Sequence, residues 1–491
     1  MLESFVLTCQ NIRNMIELDM LVIGTGPAGQ KAAIQAAKLG KNVGICERRE
    51  VVGGVCINSG TIPSKTFREA VLYLTGYRQK GIYGSSFSEK EDLKMADLLF
   101  RCQHVMEQEI DVVNHQLHRN SVRIFGGQAT FLDPNTLRIE GHRGVIEVKA
   151  DYIVVAAGTT PGLPDGVEMD GETVISSDGV LTLKELPRTM TVVGAGVIGT
   201  EYASMFAALG VEVVVVDRRP RLLEFLDSEI AESLTYQMRD MNCTFRFGEE
   251  VDSVKVERPG RAVAFLKSGK RIVSDLLFYS SGRVGATGEL NLEAAGLSSG
   301  ERGLLEVNES YQTAQPHIFA VGDVIGFPSL ASTSMEQGRI AACNAFGFKC
   351  TSMPEYFPYG IYSIPEIAMV GKHEQELTRD SIPYEVGVAR YREIAKGGIL
   401  GDDTGVLKIL FHPDTRRVLG VHIIGTDATE LIHIGQAVVA LGGTIDYFVN
   451  TVFNYPTFAE CYKVAALDGF NKVGPADSEA PPPDSDLGMP G

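Results

Sequence analysis

The first regular pattern in the chain is Met20–Ile23, a short apolar run that ends in the glycine turn Gly24-Thr25-Gly26. Pro27 to Leu39 then carries Ala, Gln and Lys at helical spacing and stops at Gly40, a residue suited to the left-handed position that closes a helix. Val43–Cys46 is apolar again and predicts a second strand. Strand, glycine turn, helix and strand within about 30 residues make a βαβ unit, from which parallel, doubly wound sheets are built. The pattern returns as Thr191–Val193, GAGVIG, a helix to Leu209 closed by Gly210, and the β-branched run Val211–Val216. Gly24 to Gly194 and Glu47 to Asp217 are both offsets of 170 residues, so the chain contains an internal duplication.

Elsewhere the pattern is looser. Ser88 with Glu91 reads as a capping box opening a long helix to about His118, and short strands follow around the Asp133-Pro134-Asn135 turn. Beyond Gly405 two strands are expected about His412–Thr415, then a helix with apolar Leu431, Ile434, Val438 and Leu441. That change predicts an α+β third domain. The closing GPADSEAPPPDSDLGMPG has too little apolar surface to offset its ordering entropy and is expected to be disordered. The fold class is therefore α/β: two doubly wound dinucleotide-binding, Rossmann-like domains plus a C-terminal α+β interface domain.

The length of 491 residues suits about three domains at ~150 residues each. With 45 Lys+Arg against 62 Asp+Glu the net charge is −17, which repels phosphate backbones and anionic headgroups, so neither nucleic acid nor a membrane surface is an expected partner. No uncharged apolar run reaches the ~18 residues of a bilayer span. Glu3 and Glu17 argue against a transit peptide, so residues 1–17 read as an extension and the protein as cytoplasmic. Eight cysteines without a CxxC pair suggest neither a metal site nor a disulfide framework.

Gly24, Gly26 and Gly29 form GxGxxG directly after a strand, with Glu47 about 20 residues on. The glycines admit a tight turn, close approach of backbone N–H groups to a pyrophosphate and close helix packing, while the acid accepts from ribose hydroxyls. Gly194, Gly196, Gly199 and Asp217 repeat the device. Two dinucleotides in one chain most simply mean a flavin and a nicotinamide cofactor exchanging a hydride.

GGVCINSGTIPSK (Gly53 to Lys65), VVAAGTTP (Val154 to Pro161) and TAQPHIFAVGDV (Thr313 to Val324) resemble the flavin signatures of the pyridine nucleotide-disulfide oxidoreductases, and the likeness spans about residues 18 to 473. The resemblance implies FAD held by Gly24, Gly26, Gly29, Glu47, Gly53, Gly54, Cys56, Lys65, Gly158, Ala331 and Asp323, the last on the ribityl chain and nearby phosphate. NAD and NADP, the substrates, fall to Gly194, Gly196, Gly199, Glu201, Asp217, Arg218, Arg219 and Gly282. It implies an FAD domain over 18–160 with 286–358 returning to it, an NAD(P) domain over 161–285, a dimerisation domain over 359–473 and a tail over 474–491, the whole forming a homodimer or larger homo-oligomer.

The sequence departs from that family where disulfide chemistry would sit. The expected CxxxxC reads Cys56 and Thr61, and Tyr455 replaces the His before Pro456-Thr457 while Glu460 remains. One sulfur cannot form a dithiol, and tyrosine is a poor thiol base. With GVIGTEYAS, GDVIGFPSLAS and FNYPTFAE, this is similar to the transhydrogenase branch of the family, which implies hydride transfer from NADPH through FAD to NAD+ and back. Lys65 and Glu201 are then expected as an ion pair beside the flavin N5, with the helix that starts near Ser329–Ala331 favouring the reduced anion.

Some alternatives stay open at this level. Thr61 either hydrogen-bonds the flavin or fills the lost thiol's space, and Cys56 is either reactive or a residual buried thiol. Asp217 favours NAD, while Arg218, Arg219 and Arg221 suit a 2′-phosphate. Rival activities are an NAD(P)H dehydrogenase passing electrons to a quinone or oxygen, a disulfide reductase, and a flavin-bearing redox sensor of slow turnover.

Overall fold

The computed structural model describes residues 15–84, 87, 90, 92–162, 167, 169–350 and 353–473. The tail after 473, most of the N-terminal extension and the Ser88/Glu91 capping box lie outside them.

The first βαβ unit forms as its pattern predicts. Strand Ile16–Ile23 pairs in parallel with Val43–Glu47 and with Gly144–Val155, and helix Pro27–Lys38 joins the first two. This sheet runs in the order Arg123–Gly126, Val43–Glu47, Ile16–Ile23, Gly144–Val155, Thr136–Gly141, Gln128–Asp133, and Ile318–Ala320 returns to pair with Gly144–Val155. The first strand begins inside the segment expected to be extension, because Ile16 and Glu17 already pair with Val148 and Lys149. The long helix also differs: it starts at Met95, where Lys94 is extended and the Asp97 carboxylate accepts the Lys94 N–H at 2.9 Å, and it ends at Arg119.

The second copy builds a parallel sheet ordered Cys243–Phe247, Glu212–Asp217, Thr189–Val193, Leu276–Tyr279, Val174–Ile175. Helix Val197–Ala208 is buried almost all round, consistent with its apolar sequence. Two short antiparallel strands, Thr159–Pro161 and Arg283–Gly285, connect this unit with the first. The third unit is a five-stranded antiparallel sheet in which Val406–Phe411 and Val418–Ile424 flank the turn expected near His412–Thr415. Helix Ala428–Ala440 packs on it through Ile432, Val438 and Val439. Among the described residues no helix is long and apolar enough to cross a membrane.

One buried cation fixes the third unit on the second. Lys408 is fully buried, with Nζ 3.0 Å from Asp227 and 2.9 Å from Glu229 and a further bond to Glu374. Asp227 also caps helix Ser228–Asp240, accepting the Glu229 N–H at 3.2 Å. Burial pushes the Asp227 carboxyl up, but the His422 ring and the Lys408 ammonium with its hydrogen bond bring it below its ordinary range. Removing the ammonium leaves uncompensated buried carboxylate, a loss of about 3–5 kcal/mol. Lys408→Met is expected to lower the urea midpoint accordingly. Because the folded-state pKa of Asp227 is depressed, its stabilisation is complete above the unfolded value of about 4 and is lost as pH falls through the folded value. The stability gap between wild type and Asp227→Asn, measured by denaturation from pH 7 downward, should close in acid.

Candidate active site

Both glycine turns are shaped by the same contact. In the first, Gly24 has φ +101°, and a Cβ on Gly29 would lie 1.9 Å from the Gly24 carbonyl oxygen. In the second, Gly194 has φ +106° and a Cβ on Gly199 would lie 1.9 Å from the Gly194 oxygen. Only glycine lets the helix start so close to the strand end. A Cβ on Gly26 would meet nothing within 4 Å, and one on Gly196 only the tip of Arg219 at 3.9 Å, so each middle glycine faces open space at a helix N-terminus. That is the cradle a pyrophosphate requires.

The acids differ between the copies. Glu47 accepts from the Thr25 backbone at 3.2 Å, from the Thr25 hydroxyl and from the Arg49 N–H at 3.0 Å, while the same hydroxyl accepts the Gly53 N–H at 2.9 Å. In the second copy Ala195 stands where Thr25 does, and its N–H reaches Asp217 at 2.5 Å. Arg219 fills the vacated side: its Nε and Nη2 grip the two Asp217 oxygens at 2.9 and 2.6 Å. Burial raises the Asp217 carboxyl, but the Arg219 hydrogen bonds and charge hold it net below its ordinary range. Arg218 is exposed, Arg221 turns to the Glu224 carbonyl at 3.3 Å, and Gly282 accepts the Gly162 N–H at 2.9 Å; like Gly194, Gly196, Gly199, Asp217 and Arg219, Arg218 and Gly282 line neither of the clefts described below. Of the residues expected at the second turn, the structure pairs Asp217 with Arg219.

A cleft of about 1050 Å³ runs from Glu47 past Gly24, Gly26, Gly54, Cys56 and Gly158 to Asp323 and Ala331. Glycine cradle, acid at one end and acid at the other are the donor and acceptor set an FAD-sized dinucleotide needs, so the residues present fit the cofactor. Gly53 stands just behind, holding Thr25. At the far end the Thr159 hydroxyl donates to Asp323 at 3.4 Å and accepts from Arg283 at 2.8 Å. Burial pushes the Asp323 carboxyl up against the lowering charge of Arg283.

A second cleft, about 1630 Å³, opens on the same wall: Thr61, Asp323, Ser329 and Ala331 line both. Its floor holds Lys65 and Glu201, paired at 2.7 Å with side chains 26% and 4% exposed, so the ammonium reaches the cleft while the carboxylate stays dry. The other Glu201 oxygen accepts the Tyr362 N–H at 2.9 Å, and the Tyr362 ring lies 4.9 Å from the ammonium. Thr61 and Cys56 line the first cleft together; burial pushes the Cys56 thiol up, with the Thr61 hydroxyl and the Lys65 charge opposing. Tyr455 is 72% exposed and reaches neither cleft within one chain, and Glu460 keeps a buried oxygen without a partner among the described residues. Thr25 and Tyr362 escaped sequence reasoning; Thr159 lies inside the VVAAGTTP signature and Arg283 in the Ser281–Arg283 segment that resembles the family's nicotinamide-pocket segment, but neither was given a role of its own. Thr25, a hydroxyl inside the glycine motif, left a local signal.

The pyridine nucleotide-disulphide oxidoreductase model matches residues 18–338, and the dimerisation-domain model of that family matches residues 357–466. The chain belongs to this family. A soluble pyridine nucleotide transhydrogenase of Mycobacterium bovis is 56% identical over 94% of this chain and 98% of that protein. One from Colwellia psychrerythraea is 44% identical over 93% of this chain and 99% of its own length. Among solved structures, the HOCl-induced flavoprotein disulfide reductase RclA from Escherichia coli superposes with a TM-score of 0.82 at 26% identity, covering 91% of this chain and 99% of that one. LpdA from Mycobacterium tuberculosis gives 0.84 at 24% identity over 92% and 99%, a likeness of fold.

The presence of Thr61 and Cys56 in one cleft lining makes a prediction of its own. Thr61→Cys should form a disulfide with Cys56 on mild oxidation, seen as loss of two titratable thiols, without strong lipoamide or glutathione turnover because Tyr455 supplies no base. High turnover of either substrate would refute the argument about the base.

Proposed function

We propose that the protein is an FAD-dependent transhydrogenase that moves a hydride between NADPH and NAD+ in either direction, acting in the cytoplasm as a homodimer. The observation that carries this is the shared wall: a dinucleotide cleft and a second cleft meet at Thr61 and Asp323, with no second sulfur where a dithiol would stand. The nearly full-length transhydrogenase relatives agree with it, and the match to the dimerisation domain supports the dimer.

FAD, when bound, supplies the two-electron store that lets the nucleotides react in turn. The protein's share is placement and charge. On this reading Gly24, Gly26 and Gly29 seat the pyrophosphate of FAD and Gly194, Gly196 and Gly199 that of the nicotinamide nucleotide, with Glu47 and Asp217 at the riboses. Lys65 holds a positive charge in the second cleft, and Glu201 fixes its position, itself anchored by Tyr362. The N-terminus of helix Ala331–Ala345 adds partial positive charge on the shared wall. Arg219 neutralises Asp217, so the ribose acid no longer repels a 2′-phosphate, and a partly exposed guanidinium could hydrogen-bond one.

Anaerobic mixing with NADPH should bleach the flavin, and NAD+ should restore it. Bleaching reversed only by a quinone or oxygen would move the assignment to an NAD(P)H dehydrogenase. Lys65→Ala should slow flavin reduction by roughly 10²-fold in stopped flow, the scale for losing a preorganised electrostatic group. Arg219→Ala should raise KM for NADPH by roughly 10-fold, since a charge-assisted bond is lost, and change KM for NADH far less. Equal effects on both nucleotides would remove Arg219 from nucleotide choice.

A further inference from the structure

The chain lacks the second sulfur at position 61, yet its sequence places two other cysteines at one end of a helix. Helix Ala331–Ala345 starts on the wall shared by the two clefts and ends about 22 Å away, at 1.5 Å per residue. Its C-terminus is closed by a paired cap: the Phe348 N–H donates to the Cys343 carbonyl at 2.9 Å, and the Gly347 N–H to the Asn344 carbonyl at 3.2 Å. Gly347, at φ +68°, takes the left-handed position this closure demands. The cap reverses the chain, so that the Cys350 sulfur returns against the last turns of the helix, 3.9 Å from the Ile340 carbonyl and 3.8 Å from the Asn344 amide oxygen. Cys343 lies on that same turn, between Ile340 and Asn344, so the Cys350 sulfur packs against the turn that carries it. Cys343 is buried and Cys350 is partly exposed.

We propose that Cys343 and Cys350 form a peroxide-oxidisable dithiol, a modification site separate from the flavin and nucleotide clefts. The partly exposed Cys350, as thiolate, attacks the O–O bond of hydrogen peroxide, giving a sulfenic acid and releasing hydroxide, which leaves as water. The Cys343 thiol then attacks that sulfur; the S–O bond breaks, the S–S bond forms, and the Cys343 proton leaves with the hydroxyl as a second water. Two thiols are oxidised by two electrons and one peroxide is reduced to two waters. The roles follow from position: burial pushes the Cys343 thiol up, and the neighbouring Cys350 pushes it further, which suits Cys343 to resolve rather than to initiate. The product cross-links the chain across the helix cap without involving Cys56.

The test uses the full-length flavoprotein, freed of reductant, exposed to hydrogen peroxide, quenched with catalase, alkylated and digested. Trypsin cuts after Arg339, Lys349 and Lys372, which places Cys343 and Cys350 on separate peptides. Expected is a disulfide-linked pair of those two peptides, dissociated by dithiothreitol, with Cys56 still alkylated. In Cys343→Ser, dimedone should instead label Cys350; in Cys350→Ala, which alters a partly exposed side chain, Cys343 should stay reduced at the same peroxide dose. Recovery of both cysteines as alkylated thiols from peroxide-treated wild type would overturn the proposal. So would linkage of either one to a different cysteine.

Discussion

The ion pair between Lys65 and Glu201 is the constraint from which much of the site follows. The partners are 136 residues apart, one on the helix that follows the first nucleotide turn's loop, the other on the helix of the second turn. Glu201 is 3% exposed, and a carboxylate so placed is tolerable only with its charge balanced and both oxygens occupied. Lys65 meets the first requirement and, with the Tyr362 N–H, the second. Because Tyr362 lies just before the third sheet continues, one carboxylate draws three parts of the chain to the second cleft. Lys408 and its three carboxylates repeat the logic between the second and third units, where the contact orders them but reaches neither cleft.

The local devices were legible because each is made within a few residues by a steric rule. GxGxxG announces a helix start too close to a strand for any Cβ, and both copies obey that rule with the same 1.9 Å approach. The alternation of strand and helix in the two halves, and the change of pattern in the last third, likewise came from periodicity. The contacts that turn these units into one site were not legible in the residues alone. Nothing near Tyr362 or Thr159 marks them as neighbours of Glu201 or Asp323, since the pairs are 161 and 164 residues apart. The pairing of Lys65 with Glu201 was expected only by resemblance. The arginine run after Asp217 reads as three equivalent cations, and the fold distinguishes them: one on the acid, one on a carbonyl and one exposed.

The two copies of the duplicated turn also differ in how firmly they are closed. In the first, Thr25 ties the acid to the glycine loop at Gly53, so that acid, turn and loop form one rigid frame with no long side chain in it. In the second, the corresponding alanine offers only its backbone N–H, and the side a hydroxyl would hold goes to a guanidinium on three carbons that is 35% exposed. A frame of the first kind suits a tenant that stays for the life of the protein. One of the second kind can be re-made around each arrival, so a single threonine-to-alanine difference between otherwise parallel turns separates a place of residence from a place of passage.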